Sequence, residues 1–363
     1  MESKVKWVRL GDYIIQRREK NDSNELPIYG VTRDGFIPPK QKEADTSKYN
    51  VFYLNDFVFN PARMEINSIY LNDFCPKAIC SSLYEVFYIK DTNVILPHFL
   101  HLFLKRDEFA RHCEYIGWGS AREYCRVGDI SDIEIPLPSL SEQQKVVNAW
   151  KAFREIKEQN EAKAEPLMQL CQSYIQELKH KYPKQEIGPF INRIDERNSD
   201  NSIKEVRSVS VTKEFNLTNA KVDKNNLSNY KIVRENQISF VQTTGNEKCL
   251  CAAVNHLGFP IVVTSVNEVF ETNEDYLLAD YLHMLFRRKE TDRYARFHSW
   301  GSARETFTWE DMKRFAIPLP PLDVQRAIVN IYKCANEAKQ IAAEADRLSR
   351  EVCPALLQHV IHS

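Results

Sequence analysis

The sequence predicts an α+β protein with two tandem mixed α/β modules. Two long antiparallel helices, paired as a coiled coil, separate them with pseudo-two-fold symmetry. Three observations predict this. The hexapeptide "WGSARE" stands at 118–123 and again at 300–305. "IPLP" recurs at 135–138 and 317–320, with the same offset of 182 residues. After each "IPLP" the composition shifts to a stretch without glycine, rich in Ala, Gln, Glu and Lys. A repeat this long means two copies of one structural unit.

The match extends outward from the hexapeptide. Leu100, His101 and Arg111 meet Leu282, His283 and Arg293, and Asp129 meets Asp311. Leu140, Gln143 and Val147 meet Leu322, Gln325 and Val329. With small gaps, "SSLYEVF" (81–87) matches "TSVNEVF" (264–270), while Tyr49 and Phe59 match Tyr230 and Phe240. Gly11 and Asn21 match Gly188 and Asn198. The copies differ most in their first halves. The expected division is 1–140, a helix over 141–182, then 183–322 and a helix over 323–363.

Within each module, "NVFYLNDFVFN" and "FPIVVTSVNEVF" read as strands, being rich in Val, Ile, Phe and Tyr. "LPHFLHLFLKRDEFARHC" and "LADYLHMLFRRKETDRYARF" carry helical periodicity. His98 and His101 sit in that apolar helix without carboxylate company, which suits core histidines and not ligands. The long helices start after prolines, which favour an extended entry. Ser141 with Gln144 fits a capping box and Asp323 an N-cap. Val146, Trp150, Phe153, Leu167 and Leu178 fall at alternating spacings of four and three in the first helix. Ile328, Ile331, Ala338, Ala342 and Val352 do so in the second. That is the spacing of a coiled-coil seam, with Pro166 and Pro354 expected to kink it; one such stripe also fits a surface helix laid on its own domain's core, and two in register on duplicated modules favour pairing of the helices. A helix of such length spans about 60 Å. Packed antiparallel, the pair would hold two reading heads on one face of a DNA duplex, over two unlike half-sites and an unread spacer.

Bulk properties limit the rest. A net charge of −1 excludes a strongly basic nucleic-acid binder, so DNA contacts must come from local patches. Nine scattered cysteines without a CxxC pair argue against a metal site and for a reduced, cytoplasmic setting. No apolar run has membrane-spanning length, and "MESKVKWVRL" does not read as a signal peptide. No GxGxxG or Walker A loop is present. "NPAR" (60–63) has neither the second proline nor the stacking aromatic of an amino-methyltransferase motif and reads as a turn. No catalytic constellation emerges.

Candidate DNA contacts fall in loops that mix basic and amide side chains. Asn60, Arg63 and Asn67 stand in the first module, and Gln242, Thr243, Thr244, Asn246 and Lys248 at the matching place in the second. Amides can bond adenine bidentately and Lys can contact guanine. Lys40, Lys42 and Lys48 could follow phosphates. Arg122 and Arg304 are the fifth residues of the repeated hexapeptide. Because both copies keep them, a phosphate-holding or structural role, such as pairing with Glu123 or Glu305, is favoured over base reading.

The stretches "WVRLGDYI", "DFVFN" and "GWGSARE…ISDIEIPLPSLSEQQKVV" resemble the specificity (S) subunits of type I restriction–modification systems. The second copy, "SWGSARETFTWEDMKRFAIPLPPLDVQRAIV", carries the likeness again, with "LDVQ" where that family has an EQQ-like start. The resemblance covers essentially the whole chain. It implies two target recognition domains on conserved spacer helices and a non-catalytic subunit that binds double-stranded DNA. It also implies two methyltransferase (M) subunits as partners, with S-adenosylmethionine held by them and no cofactor in this chain. Restriction/translocase (R) subunits would be optional further partners. The alternative from the residues alone is a coiled-coil adaptor whose duplicated heads bind protein and not DNA.

Overall fold

A computed structural model describes residues 5–22, 25–39, 45–117, 124–218, 220–243, 249–300 and 305–362. The chain divides into two compact units. One comprises 1–159 with 341–363, the other 160–340.

The first unit begins with β1 (Lys6–Arg9), β2 (Ile14–Arg17), β3 (Gly30–Thr32) and β4 (Gly35–Ile37). Strands β5 (Asn50–Tyr53), β6 (Phe57–Phe59), β7 (Ile69–Leu71), β8 (Lys77–Cys80) and β9 (Glu85–Ile89) follow. Next come α1 (Pro97–Leu104), α2 (Asp107–Gly117), α3 (Val127–Ser131), β10 (Glu134–Leu137) and the long helix α4 (Leu140–Lys181). Beyond α4 lie β11 (Lys184–Glu186), β12 (Ile191–Ile194), β13 (Arg207–Val209), β14 (Phe215–Leu217) and β15 (Lys231–Val233). Strands β16 (Ile238–Val241), β17 (Ala252–Val254), β18 (Ile261–Val263) and β19 (Asn267–Thr272) complete the second set. Helices α5 (Ala279–Phe286), α6 (Lys289–Phe297) and α7 (Trp309–Lys313), strand β20 (Ala316–Pro318) and the long helix α8 (Leu322–His362) close the order.

Every strand pairing of the first unit recurs in the second. The antiparallel order β2-β9-β6-β7 answers to β12-β19-β16-β17. The pairs β1–β10, β3–β4 and β5–β8 answer to β11–β20, β13–β14 and β15–β18. Strand β6 is Phe-Val-Phe with all three side chains buried, which is why it occupies an inner position. The repeated small residues have a steric reason. A Cβ on Gly11 would stand 2.9 Å from Ser131, and one on Gly188 3.1 Å from Lys313. The repeated asparagines share a backbone contact: Asn21 N–H donates to the Tyr49 carbonyl and Asn198 N–H to the Tyr230 carbonyl.

The two periodic stretches each form two helices, because a tighter turn interrupts them. Arg106 N–H bonds the Phe103 carbonyl and Arg288 N–H the Leu285 carbonyl, three residues back. His101 is buried against Tyr70 and Trp150, and His283 bonds the Lys213 carbonyl. Burial holds the imidazole of His101 down to about 3 and that of His283 to about 4. Both are held neutral; His98, expected in the core without carboxylate company, is instead half-buried with its Nε2 3.7 Å from Asp73.

Helix α4 contributes Val146 and Val147 to the first core, and α8 adds Leu357, Val360 and Ile361. In the second core α4 supplies Cys171, Ile175 and Leu178, and α8 supplies Ile328 and Val329. The start of each helix thus meets the end of the other, so the two run antiparallel. Lys157 pairs with Asp346 at 2.8 Å within the first unit. On the seam, Val146, Leu178, Ile328, Ala338 and Ala342 are buried, while Trp150, Phe153, Leu167 and Ile331 are half-buried. Val352 is a correction, being 41 % exposed with Cys353 buried in its place. A straight helix of 3.6 residues per turn drifts off a 3.5-residue pattern, which shifts the buried line onto Cys353 and Leu357. Pro166 and Pro354 lie inside continuous helices. Helix α4 starts one residue before the expected cap, so Ser139, not Ser141, accepts from Glu142 N–H. Asp323 lies in the first turn of α8, and Val324 N–H bonds the Pro321 carbonyl. Among the described residues no helix is long and apolar enough to cross a membrane.

Candidate nucleic-acid interface

In the first unit the segment joining β6 to β7 carries three of the candidates. Asn60 caps the turn Pro61–Arg63, its side-chain oxygen accepting from Ala62 N–H at 3.1 Å. That turn leaves Arg63 exposed. Asn60 and Arg63 line a cleft of about 470 Å³ whose walls include Tyr29, Thr32, Tyr49 and Tyr84. Asn67 does not belong with them. It is 1 % exposed, with φ of 58°, and donates from Nδ2 to the Leu104 carbonyl at 2.9 Å. An asparagine tolerates this left-handed backbone and holds the loop from within, so its role is structural. Lys105 adds a second tie, its Nζ donating to the Asn67 carbonyl at 3.2 Å and to the Arg33 carbonyl. Burial lowers the Lys105 ammonium to about 7.

The matching segment of the second unit joins β16 to β17. Gln242 Nε2 donates to Glu268 Oε1 at 2.6 Å. Glu268 is buried and also receives Arg193 at 2.6 Å and Lys231 at 3.4 Å. The Gln242 amide is therefore anchored inward, which leaves it poorly placed for a bidentate base contact. Thr243 is exposed and bridges to Thr306. The first unit has the same backing carboxylate. Glu85 accepts from Val127 N–H at 2.7 Å and lies 3.6 Å from Arg126. Thr244, Asn246, Lys248, Lys40, Lys42, Arg122 and Arg304 lie outside the described residues.

One contact repeats across the units and joins the two kinds of candidate. Cys125 N–H donates to the Pro61 carbonyl at 3.0 Å, and Phe307 N–H to the Gln242 carbonyl at 2.8 Å. Cys125 and Phe307 stand two residues past the repeated hexapeptide. In each unit, then, the segment that differs between the copies is hydrogen-bonded next to the segment that does not. Shortly before each hexapeptide in the chain stands an exposed aromatic side chain that sequence reasoning passed over. Tyr115 is 74 % exposed and Phe297 81 %; Trp300, which opens the second hexapeptide, is 77 % exposed. Tyr115 and Phe297 occupy equivalent places, four residues past the matched Arg111 and Arg293. The fixed offset of the repeat was the signal that could have found them. Arg293 and Arg296 are exposed on the same helix as Phe297. Exposed guanidinium groups of this kind can hold phosphate oxygens. Among the described residues no group of His, Cys, Asp and Glu is arranged to hold a metal ion.

Residues 7–166 match the family model of the type I restriction modification DNA specificity domain. No curated protein matches the chain in sequence. Among solved structures, the chain is similar to the S subunit of a type I restriction-modification system from M. genitalium. The two are 15% identical over 99% of this chain and 97% of that one, with a TM-score of 0.64. The HsdS subunit from Thermoanaerobacter tengcongensis is 17% identical over 100% and 98% of the two chains, with a TM-score of 0.42. A chain from a study of complex assembly and conformational transition of the type I R-M system is 16% identical over 99% and 98%, with a TM-score of 0.39.

Proposed function

We propose that this chain, a DNA sequence-recognition subunit of the type I restriction–modification class, reads a split and asymmetric site, one half-site per unit. Asn60 and Arg63 contact bases in the first half-site, and Thr243 with the 244–248 stretch does so in the second. The repeated motif with its flanking Arg and aromatic residues makes contacts that do not depend on sequence. One observation carries the reading: a divergent loop is bonded beside an invariant one, twice. Different bases need different readers, whereas phosphates present the same chemistry at both half-sites.

In this reading the chain itself performs no chemistry, as is general for specificity subunits. Two methyltransferase subunits supply it, holding S-adenosylmethionine, and restriction/translocase subunits join where the system has them. The test is co-expression with a methyltransferase encoded beside it, followed by methylome sequencing. A split motif is expected. Arg63→Ala should relax one position in one half-site, at a cost of about 1–3 kcal/mol, and leave the other half-site unchanged. A continuous motif, or no methylation directed by this chain, would overturn the reading and favour a protein-binding adaptor.

A further inference from the structure

The segment just after β7, helix α1 and the long helix α4 meet at an ionic cluster in the first unit. Asp73 lies 3.7 Å from His98 Nε2 and is hydrogen-bonded by Arg154 of α4. The His98 ring packs on Trp150, 5.5 Å between centroids, and the Arg154 guanidinium lies over the same indole. The second unit has an equivalent cluster. His256 Nε2 lies 2.6 Å from Asp280, and Lys333 of α8 donates to the same carboxylate at 2.6 Å.

Backbone pairing fixes the correspondence. Phe57 pairs with Leu71 and Ile238 with Val254. Asn72 N–H then bonds the Asp56 carbonyl, and Asn255 N–H the Gln237 carbonyl. Asp73 and His256 are therefore the same structural position. His98 and Asp280 are each the second residue of their helices, α1 and α5. The acid and the imidazole have changed places while the pair itself is kept. In both units the carboxylate also takes a cation from a long helix, although that cation comes from different turns.

A pair preserved through an exchange of its members is kept for the interaction and not for either side chain. What it ties together is specific: the foot of the hairpin whose tip carries the candidate readers, the α1 or α5 helix, and the long helix. We propose that the exchanged Asp–His pair is a positioning device that fixes the reading hairpin against its long helix, so that the loop meets the DNA in one attitude. Asp73, His98 and Arg154 in the first unit, and His256, Asp280 and Lys333 in the second, position the readers without touching bases. The inference rests on the DNA-reading role proposed above.

The experiment uses the full chain co-purified with its methyltransferase. Asp73→Ala, His98→Ala and the exchanged double variant Asp73→His/His98→Asp are compared with the natural protein. Two readouts are taken: amide hydrogen exchange at residues 69–72 without DNA, and affinity for duplexes in which only one half-site is intact. Each single variant should speed exchange and weaken first-half-site binding by about 10-fold, with second-half-site binding unchanged. The double variant should return both to within about 3-fold of the natural protein, because the second unit already uses that order. A double variant no better than the singles overturns the proposal. So does a single variant that speeds exchange yet keeps full first-half-site affinity. If the natural complex binds no DNA, the reading role fails and the exchange arm alone judges the tie. His256→Asp/Asp280→His provides the mirror test should the first pair of changes impair folding.

Discussion

Replacing Gln143 should destabilise the first unit by an amount set by hydrogen bonds and not by packing. Gln143 is completely buried. Its Oε1 accepts from Leu96 N–H at 2.9 Å, and its Nε2 donates to the carbonyls of Val94 at 2.9 Å and Pro138 at 3.0 Å. Leu96 is the N-cap of α1 and has no side chain able to cap it, so the glutamine serves from another helix. Gln325 does the same in the second unit, taking Leu278 N–H and donating to the Tyr276 and Pro320 carbonyls. Gln143→Ala leaves one N–H and two carbonyls without these partners. At about 1 kcal/mol for each bond, with an added cavity term, the loss is about 3–4 kcal/mol. In a unit of this size that lowers the midpoint by roughly 6–15 °C. Gln143→Leu keeps the volume but not the bonds and should lose nearly as much. Calorimetry on both variants is the assay, with Gln325→Ala expected to move the other unit's transition. Stability of Gln143→Leu within about 1 kcal/mol of the natural protein would refute the reasoning, because filling space would then suffice.

The core assignments predict that Leu357→Ala or Ile361→Ala costs about 2–5 kcal/mol, seen as faster hydrogen exchange in residues 57–137 and not in 231–317. At Asp73 burial, which raises a carboxyl, is outweighed by the bonds from His98 and Arg154; at Asp280 the His256 bond leads, helped by Lys333. Both carboxyls are held at about 2. A depressed carboxylate contributes stability above its ordinary 3.8 and loses it as pH falls through about 2. Asp73→Asn and Asp280→Asn should therefore flatten the acid limb of a stability-against-pH curve. Lys105 acts in the alkaline range. Its ammonium is depressed to about 7, so between there and 10.5 the unfolded chain binds the proton that the folded chain has lost. Stability should climb with pH across that window, and Lys105→Met should remove the climb in denaturant titrations.

Much of the fold was legible because the repeat reports on itself. A fixed offset exposed the two copies, and the loss of glycine after each "IPLP" placed the long helices within a residue of where they begin. The parts that escaped notice depend on contacts between distant stretches. Nothing local in "LLQHVI" says that Leu357 and Ile361 enter the core of β6 and β9. Asn67 looks like a surface amide until α1 is folded over it. The exchanged Asp–His pair was hidden for a simpler reason. The offset there is 183, so a comparison at 182 sets Asp73 against Asn255 and passes over His256. For the candidate interface, sequence points to the segments that diverge between the copies, because that is where recognition of unlike half-sites would differ. It could not tell Arg63, pointing outward, from Asn67, pointing inward, because that depends on one turn of backbone.

The first unit closes with residues 341–363, and this bears on how the protein is made. Everything needed for the 160–340 core has left the ribosome before those residues appear. The earlier core waits for Leu357, Val360 and Ile361 while roughly 180 more residues are added. At ordinary elongation rates that wait is roughly 10–40 s. The order of synthesis is thus the reverse of the order of completion. A message broken off just before codon 341 would yield a finished second half beside an open, aggregation-prone first one.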